Sequence, residues 1–470
     1  MITYIRINGF KSFQNFEMEF TPLTVVAGTN ASGKSNLFDA LTLLSRLADN
    51  DLRTAFGEQR GNPSELFTQY GDNWFSSEME FVVDMLVDRT IKDKWGGVAE
   101  LNTTRLRYEL TIHRKINELG FEDLYVKNER LEKISKQYDK WIDKHLQSTS
   151  KDIAKTLRSG GSSAPVIYAD PEGDKIAIKI RQDGKQGGKA TPADSISQTV
   201  LGGINSVDFP HAFAVKEEMK SWQFLKLNPE DLREPTKQEP GMKDYISPSG
   251  KNLAAALFRI KQTNDYSLVE ISRKLNSFLP EFIEVNVYDE KADKQYIIKL
   301  KGEDNKEYTS RVLSEGTLRL LALCILEFDT KHTGLLCFEE PENGIHPFRV
   351  VAMMQLLKDL STNFMDHDQP LRQVLVNTHS PVLVNETIRW NADKNVSIHF
   401  STLRTLIADR EGKRIRLNIS KITPVMKNNE KQTSLDFPKQ EQKLSLTAVK
   451  NYLETSNFRA NLNDLDSIYE

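Results

Sequence analysis

The chain has 470 residues, a formal net charge of −3, 27% charged and 39% hydrophobic residues. That balance fits a water-soluble protein with core enough for two or three domains, and it excludes a globally basic nucleic-acid binder while leaving room for a local basic groove. The two cysteines, Cys324 and Cys337, both sit in apolar runs and read as buried free thiols rather than a disulfide framework. No apolar run reaches the roughly 18 residues of a membrane span, and the start, MITYIRINGF, has no signal-peptide core, so a cytoplasmic protein is expected.

Residues Thr3 to Ile7 alternate into a short strand, followed by Gly9-Phe10-Lys11-Ser12-Phe13 and a second strand from Asn15 to Phe20. Lys11 is either an exposed hairpin lysine or a residue that approaches a nucleotide. The run Leu23 to Ala27 reads as a buried strand. It leads into Gly28 to Ser35, GTNASGKS, which matches G-x-x-x-x-G-K-S, and then into a helical pattern of Leu37, Phe38, Leu41, Leu44 and Leu47. Strand, glycine loop and helix in that order are the context in which this motif binds phosphates. Gly28, Asn30, Ala31, Ser32, Gly33 and Asn36 are expected to surround the nucleotide, with Lys34 reaching the β- and γ-phosphates and Ser35 holding Mg²⁺.

Residues 48–76 are polar and punctuated by glycine; Gln69 is a weak candidate for a further nucleotide contact. Strand patterns follow at Glu78–Leu86, Thr104–Ile112, Leu124–Val126, Val166–Tyr168 and Ile176–Ile180. Between them, Leu131, Tyr138 and His145 fall seven apart, as do Ile134 and Trp141. The spacing predicts a charged helical insertion over 129–158 that either covers a sheet face or docks another chain. The basic, glycine-rich stretch Arg181 to Lys189 is a solvated hairpin end or a nucleic-acid contact. From Pro192 to Asn276 the pattern is helical, broken by a loop at 228–250. Strands are then expected at Phe282–Tyr288 and Gln295–Lys301.

A second constellation lies downstream. Leu313-Ser314-Glu315-Gly316-Thr317 opens an apolar helix, and Ser314 and Gly316 at its N-terminus suit a γ-phosphate, although S-x-G is also an ordinary capping turn. Leu335 to Phe338 form a buried strand that delivers Glu339, a Mg²⁺-side acid, and Glu340, placed to polarise the attacking water. Pro341-Glu342-Asn343-Gly344-Ile345-His346-Pro347 follows; His346 either senses the site or shapes a turn. A last buried strand, Gln373 to Val376, ends in Asn377-Thr378-His379-Ser380-Pro381. His379 lies 39 residues beyond Glu340, where this strand end resembles the switch-histidine segment of ABC-type ATPases; the resemblance implies that it hydrogen-bonds the γ-phosphate.

GFKSF, GTNASGKSN, LSEGT, EEPENGIHP and NTHSP together resemble the ABC-type ATPase heads of the SMC and RecF branch, and in particular the OLD-like AAA/ABC ATPases of bacterial anti-phage defence. Glu315 and Thr317 depart from the L-S-G-G-Q signature, and Glu339 replaces the usual Asp. The resemblance implies an α/β P-loop ATPase head. Its parts are an N-terminal core at 1–77, an antiparallel β subdomain at 78–190, a helical lobe with strands at 191–312, a C-terminal core at 313–424, and a linker, helix and acidic tail at 425–470. It also implies ATP and Mg²⁺ as cofactors and a head-to-tail dimer or larger homo-oligomer, in which the signature of one copy faces the phosphate loop of another. OLD nucleases carry a TOPRIM domain after the head. Here Asp464-Leu465-Asp466 follows no buried strand, so the nuclease is expected on a separate chain. That arrangement resembles PARIS-type systems, whose ATPase restrains a TOPRIM effector and releases it on sensing a phage protein. The alternative is a DNA-binding repair ATPase; a membrane partner is not expected.

Overall fold

The computed structural model describes residues 1–116, 122–146, 164–172, 175–182, 188–192, 197–364, 371–390, 393–410, 412–425, 435 and 447–453. The chain forms two compact units. One comprises Met1–Thr21, Val26–Trp222 and Ser397–Glu470, the other Pro22–Val25 and Gln223–Val396.

The first unit is built on an eight-stranded antiparallel sheet. Its order is Gly188–Pro192, Lys175–Arg181, Ile167–Glu172, Glu122–Lys133, Arg105–Ile116, Glu78–Leu86, Ile2–Asn8 and Phe16–Glu19. Alternation sets its two faces. Ile5, Val83, Tyr108 and Leu131 stand in one cross-strand row, Ile7, Phe81, Leu110 and Glu129 in the next, and all are buried. The opposite face carries ion pairs, Arg6–Glu80 at 2.7 Å and Arg107–Asp84 at 2.7 Å. Glu129 is the polar member of the buried face. Its carboxylate accepts the N–H groups of Val200 (2.6 Å) and Leu201 (2.8 Å), and burial pushes its pKa up to about 7.

This sheet corrects the expected helical insertion. Residues 129–133 complete the strand Glu122–Lys133, and Leu131 pairs with Ile167. Among the described residues of that stretch only Lys140–His145 is α-helical, and 147–163 lie outside the described residues. The seven-residue spacing of Leu131 and Tyr138 links a strand to a short 3₁₀ turn, Lys136–Tyr138, not two turns of one helix. Of the basic stretch 181–189, residues 183–187 are likewise outside the described set, as are 426–434, 436–446 and 454–470, which hold most of the expected linker and all of the acidic tail. The expected lobe 191–312 is shared between the units, which divide at Trp222 and Gln223.

In the second unit the strands Gln223–Leu225, Gly334–Glu339 and Arg372–Thr378 run parallel, with Phe224, Cys337 and Leu375 side by side. Pro22 joins them through its carbonyl, which accepts from Val374 N–H at 2.8 Å. Leu335 to Phe338 and Gln373 to Val376 are all buried, as expected for parallel strands covered on both faces. A smaller antiparallel sheet centres on Gln295–Gly302 between Thr236–Lys237 and Phe282–Glu290. Cys324 and Cys337 are both buried, and desolvation pushes both thiols up.

Arg372 fixes the start of its strand. Its guanidinium donates to the carbonyls of His332 (2.6 Å), Glu327 (2.9 Å) and Asp329 (2.8 Å), just beyond and at the end of the helix Glu315–Phe328. Removing it leaves three carbonyls, two of them buried, without that donor. Arg372→Met should therefore lower unfolding free energy by about 3 kcal/mol, read as a shift in the urea midpoint; an unchanged midpoint would discount the clamp.

Candidate functional site

The strand Leu23–Gly28 ends in the glycine loop, and the helix Lys34–Leu47 begins directly after it. Leu37, Phe38, Leu41, Leu44 and Leu47 are its buried stripe, so the helix forms where its apolar period predicts. Asn30, Ala31 and Ser35 are exposed at the loop mouth; Ser32 and Lys34 are buried beneath it. Ala31 (φ 62°) and Gly33 (φ 92°) adopt left-handed backbone, which curls the loop. Lys34 Nζ donates to Gly28 O at 2.8 Å and Thr29 O at 2.9 Å, so the ammonium sits inside the curl. The Ser32 hydroxyl is buried and has no hydrogen-bond partner among the described residues. A curled loop with an ammonium at its centre and a helix N-terminus behind it suits the donor set that phosphate oxygens require.

The loop is braced by residues far away in sequence. Ser401 Oγ donates to Ser32 O at 2.8 Å, and Ser12 Oγ lies 2.7 Å from Ser420 Oγ while accepting from Asn36 Nδ2 at 2.6 Å. Ser401 and Ser420 stand on the hairpin Val396–Arg410 and Lys413–Pro424. Its approach leaves no room for a Cβ at Gly33, which would overlap the Ser420 side chain. Lys11 pairs with Asp39 Oδ2 at 2.6 Å, on the phosphate-loop helix. Gln69 turns its amide to Gly71 O at 3.2 Å, within its own hairpin.

In the second unit, the strand Gly334–Glu339 carries Glu339 and Glu340 at its C-terminal end. Glu339 lies 3.5 Å from Lys226 Nζ. Glu340 has φ 49°, a left-handed conformation uncommon for a residue with a side chain. Its N–H donates to Asn377 O at 2.8 Å. Its carboxylate meets His379 Nδ1 at 2.9 Å through Oε1 and accepts from Asn343 Nδ2 at 2.9 Å through Oε2. The side chains of Glu340 and His379 are 33% and 42% exposed, so water reaches both. His346 caps the following helix, Pro347–Leu360.

Ser314 is the N-cap of the helix Glu315–Phe328. Its Oγ accepts from Thr317 N–H at 3.3 Å and lies 2.8 Å from Thr317 Oγ1. Gly316 starts the helix, buried. Glu315 turns back along the helix to Arg319, 2.9 Å away.

Glu342, quoted in the sequence without a role, is buried. Its Oε1 accepts the Thr378 hydroxyl, Oε2 has no hydrogen-bond partner among the described residues, and desolvation raises its pKa. Asn343 and Thr378 were likewise visible only as members of their motifs. Nothing local in the sequence signals Ser401 or Ser420.

Comparison with known proteins follows this geometry. Residues 1–190 match a family model described as an AAA ATPase domain, and residues 191–385 one described as an AAA domain of candidate AbiEii toxins of the type IV TA system. Among solved structures, the chain is similar to the SMC head domain from Thermotoga maritima (13% identity, TM-score 0.36, 90% of this chain and 98% of that one). It is also similar to an SmcHead bound to the C-winged helix domain of ScpA (14%, 0.44, 91% and 98%). A third is the Smc head domain with an extended coiled coil, bound to the C-terminal domain of ScpA from Pyrococcus furiosus (13%, 0.41, 90% and 96%). A search of curated protein sequences gave no match. The strand–loop–helix lies within the residues that match the AAA ATPase model and the paired-acid strand within those that match the AAA model, so the α/β architecture carries its P-loop and its acid-bearing strand in segments similar to AAA-type ATPase domains.

Burial makes ionised Glu342 costly in the folded state. Its raised folded pKa means its stabilising contribution is present at low pH and lost as pH rises through that value. Glu342→Gln should therefore gain on the wild type as pH rises from 5 to 8 in urea melts; a gap that stays constant across that range would contradict a buried titrating carboxyl.

Proposed function

We propose that the chain is an ATP-hydrolysing switch. The observation that carries this reading is the Glu340 carboxylate, held by Asn343 and His379 at the end of a buried strand and open to water. Lys34 binds the β- and γ-phosphates and Ser35 the metal side of the nucleotide. Glu340 orients a water molecule and takes its proton as the water attacks the γ-phosphorus. His379, with Nδ1–H directed at Glu340, can also donate from Nε2 to a phosphate oxygen when doubly protonated. Among the described residues no group of three or more His, Cys, Asp or Glu forms a metal site by itself. Ser35 and Glu339 are hard oxygen donors of the kind that, with phosphates and water, hold Mg²⁺, which when bound neutralises charge on the phosphate oxygens.

Ser314 and Gly316 have their role in a second copy's site: the signature helix of one chain completes the nucleotide site of the other, giving a head-to-tail dimer or larger homo-oligomer. The assembly restrains a separate effector, a TOPRIM nuclease, and releases it when a phage protein is sensed, as in PARIS-type defence. The match to a toxin model of a type IV TA system supports a chain that works with a second component. Among the described residues no helix is long and apolar enough to cross a membrane.

Lys34→Ala should reduce affinity for a fluorescent ATP analogue by at least about 100-fold, the loss expected when a charge-assisted phosphate contact disappears from such a loop; unchanged affinity would remove the loop from the site. Glu340→Gln should bind ATP normally, lose about 1,000-fold in turnover and accumulate as an ATP-bound dimer in light scattering. Retained hydrolysis would move the catalytic role elsewhere.

A further inference from the structure

The signature departs from L-S-G-G-Q by carrying Glu315 where glycine is usual. A carboxylate beside a phosphate-binding serine is unfavourable unless something else takes it. Two features do. Arg319, one turn along the same helix and buried, pairs with Glu315 Oε1 through Nη2 at 2.9 Å and Nε at 3.2 Å. Gly344, in the turn after Glu340, has φ 73° and receives the carboxyl group where a side chain would stand: a Cβ there would lie 2.7 Å from Glu315 Oε2 and nearer still to Oε1. Gly316 adds a second close approach, since a Cβ on it would meet Gly344 O at 3.4 Å. The neighbour of Gly344, Asn343, is the residue that holds Glu340 Oε2.

We propose that Glu315 is a positioning residue: its carboxylate, charged against Arg319 and seated on Gly344, joins the Ser314 end of the signature helix to the turn that holds Glu340. Ser314 and Glu340 of one chain then move as a piece. This rests on the head-to-tail reading above, in which Ser314 contacts the nucleotide of one composite site and Glu340 acts on that of the other. The strut carries occupancy of the first site to the acid of the second, so the two sites fire cooperatively. It also accounts for the paired oddity in the sequence, a glutamate where the signature has glycine and a left-handed glycine in the turn against which it packs.

The test is steady-state ATP hydrolysis against ATP concentration for the wild type, Glu315→Gly and Gly344→Ala, alongside thermal melting and binding of a fluorescent ATP analogue. Light scattering of each variant in a Glu340→Gln background reads the dimer. Glu315→Gly removes the strut; Gly344→Ala expels it while leaving Glu315 and Arg319 in place. Both should lower kcat about tenfold, the effect of a modest misplacement of a catalytic group, and bring a Hill coefficient above 1 in the wild type down to 1. Analogue affinity and the ATP-bound dimer should hold in both variants and melting temperature in Glu315→Gly, while Gly344→Ala melts lower because its left-handed backbone favours glycine. Unchanged kcat and Hill coefficient in both variants would overturn the strut, as would losses that track nucleotide affinity, or that in Glu315→Gly track melting. A Glu340→Gln protein that stays monomeric with ATP overturns the dimer reading itself, and the strut with it.

Discussion

The register between two buried parallel strands decides where the chemistry can happen. Gly334–Glu339 and Arg372–Thr378 are aligned so that Glu339 stands beside Asn377, and the next residue, Glu340, donates its N–H to that same asparagine's carbonyl. Only this alignment brings Glu340 and His379 to 2.9 Å. A slip of one residue would turn every following side chain to the opposite face. With both faces of the strands buried, such a slip would also expose apolar groups and bury polar ones, so packing specifies the register as firmly as the hydrogen bonds do. Arg372 locks the far end of the same strand, and the cross-link between Thr378 and Glu342 locks the near end.

Much of this was legible in the sequence because it is local. The glycine loop lies between a strand and a helix whose apolar period runs unbroken from Leu37 to Leu47. Four apolar residues ahead of two acids read correctly as a buried strand, and the T-H-S run as the end of another. What could not be read was set by contacts across the chain. Ser401 and Ser420 brace the phosphate loop from more than 360 positions away, with nothing in their own neighbourhood to mark them. The start of the expected helix, 129–133, is strand for a different reason. In Glu122–Lys133 the buried residues Val126, Glu129 and Leu131 depart from a strict period of two because the register shifts between Val126 and Asn128, and a buried glutamate further breaks the apolar signal that would have marked a strand. The division into units was equally invisible, because the chain changes unit after Thr21, Val25, Trp222 and Val396 without any linker composition.

Several motif residues have structural partners of their own beside the roles proposed for them. Ser314 is a helix cap, its hydroxyl engaged by Thr317. His346 caps the helix after the acid turn, and Lys11 braces the phosphate-loop helix through Asp39. Capping and bracing use the same oxygens and ammonium groups that bind phosphates, because the end of a helix and an anion make matching demands. The arrangement keeps polar groups satisfied and positioned before any ligand arrives, which lowers the ordering cost of binding.

Glu340 adds a last constraint. A side chain held at φ 49° costs on the order of 1 kcal/mol relative to glycine at the same place. Selection for thermal tolerance alone would therefore favour glycine here, and the proposed role of Glu340 in hydrolysis is the one demand described above that sets a carboxylate against that backbone cost.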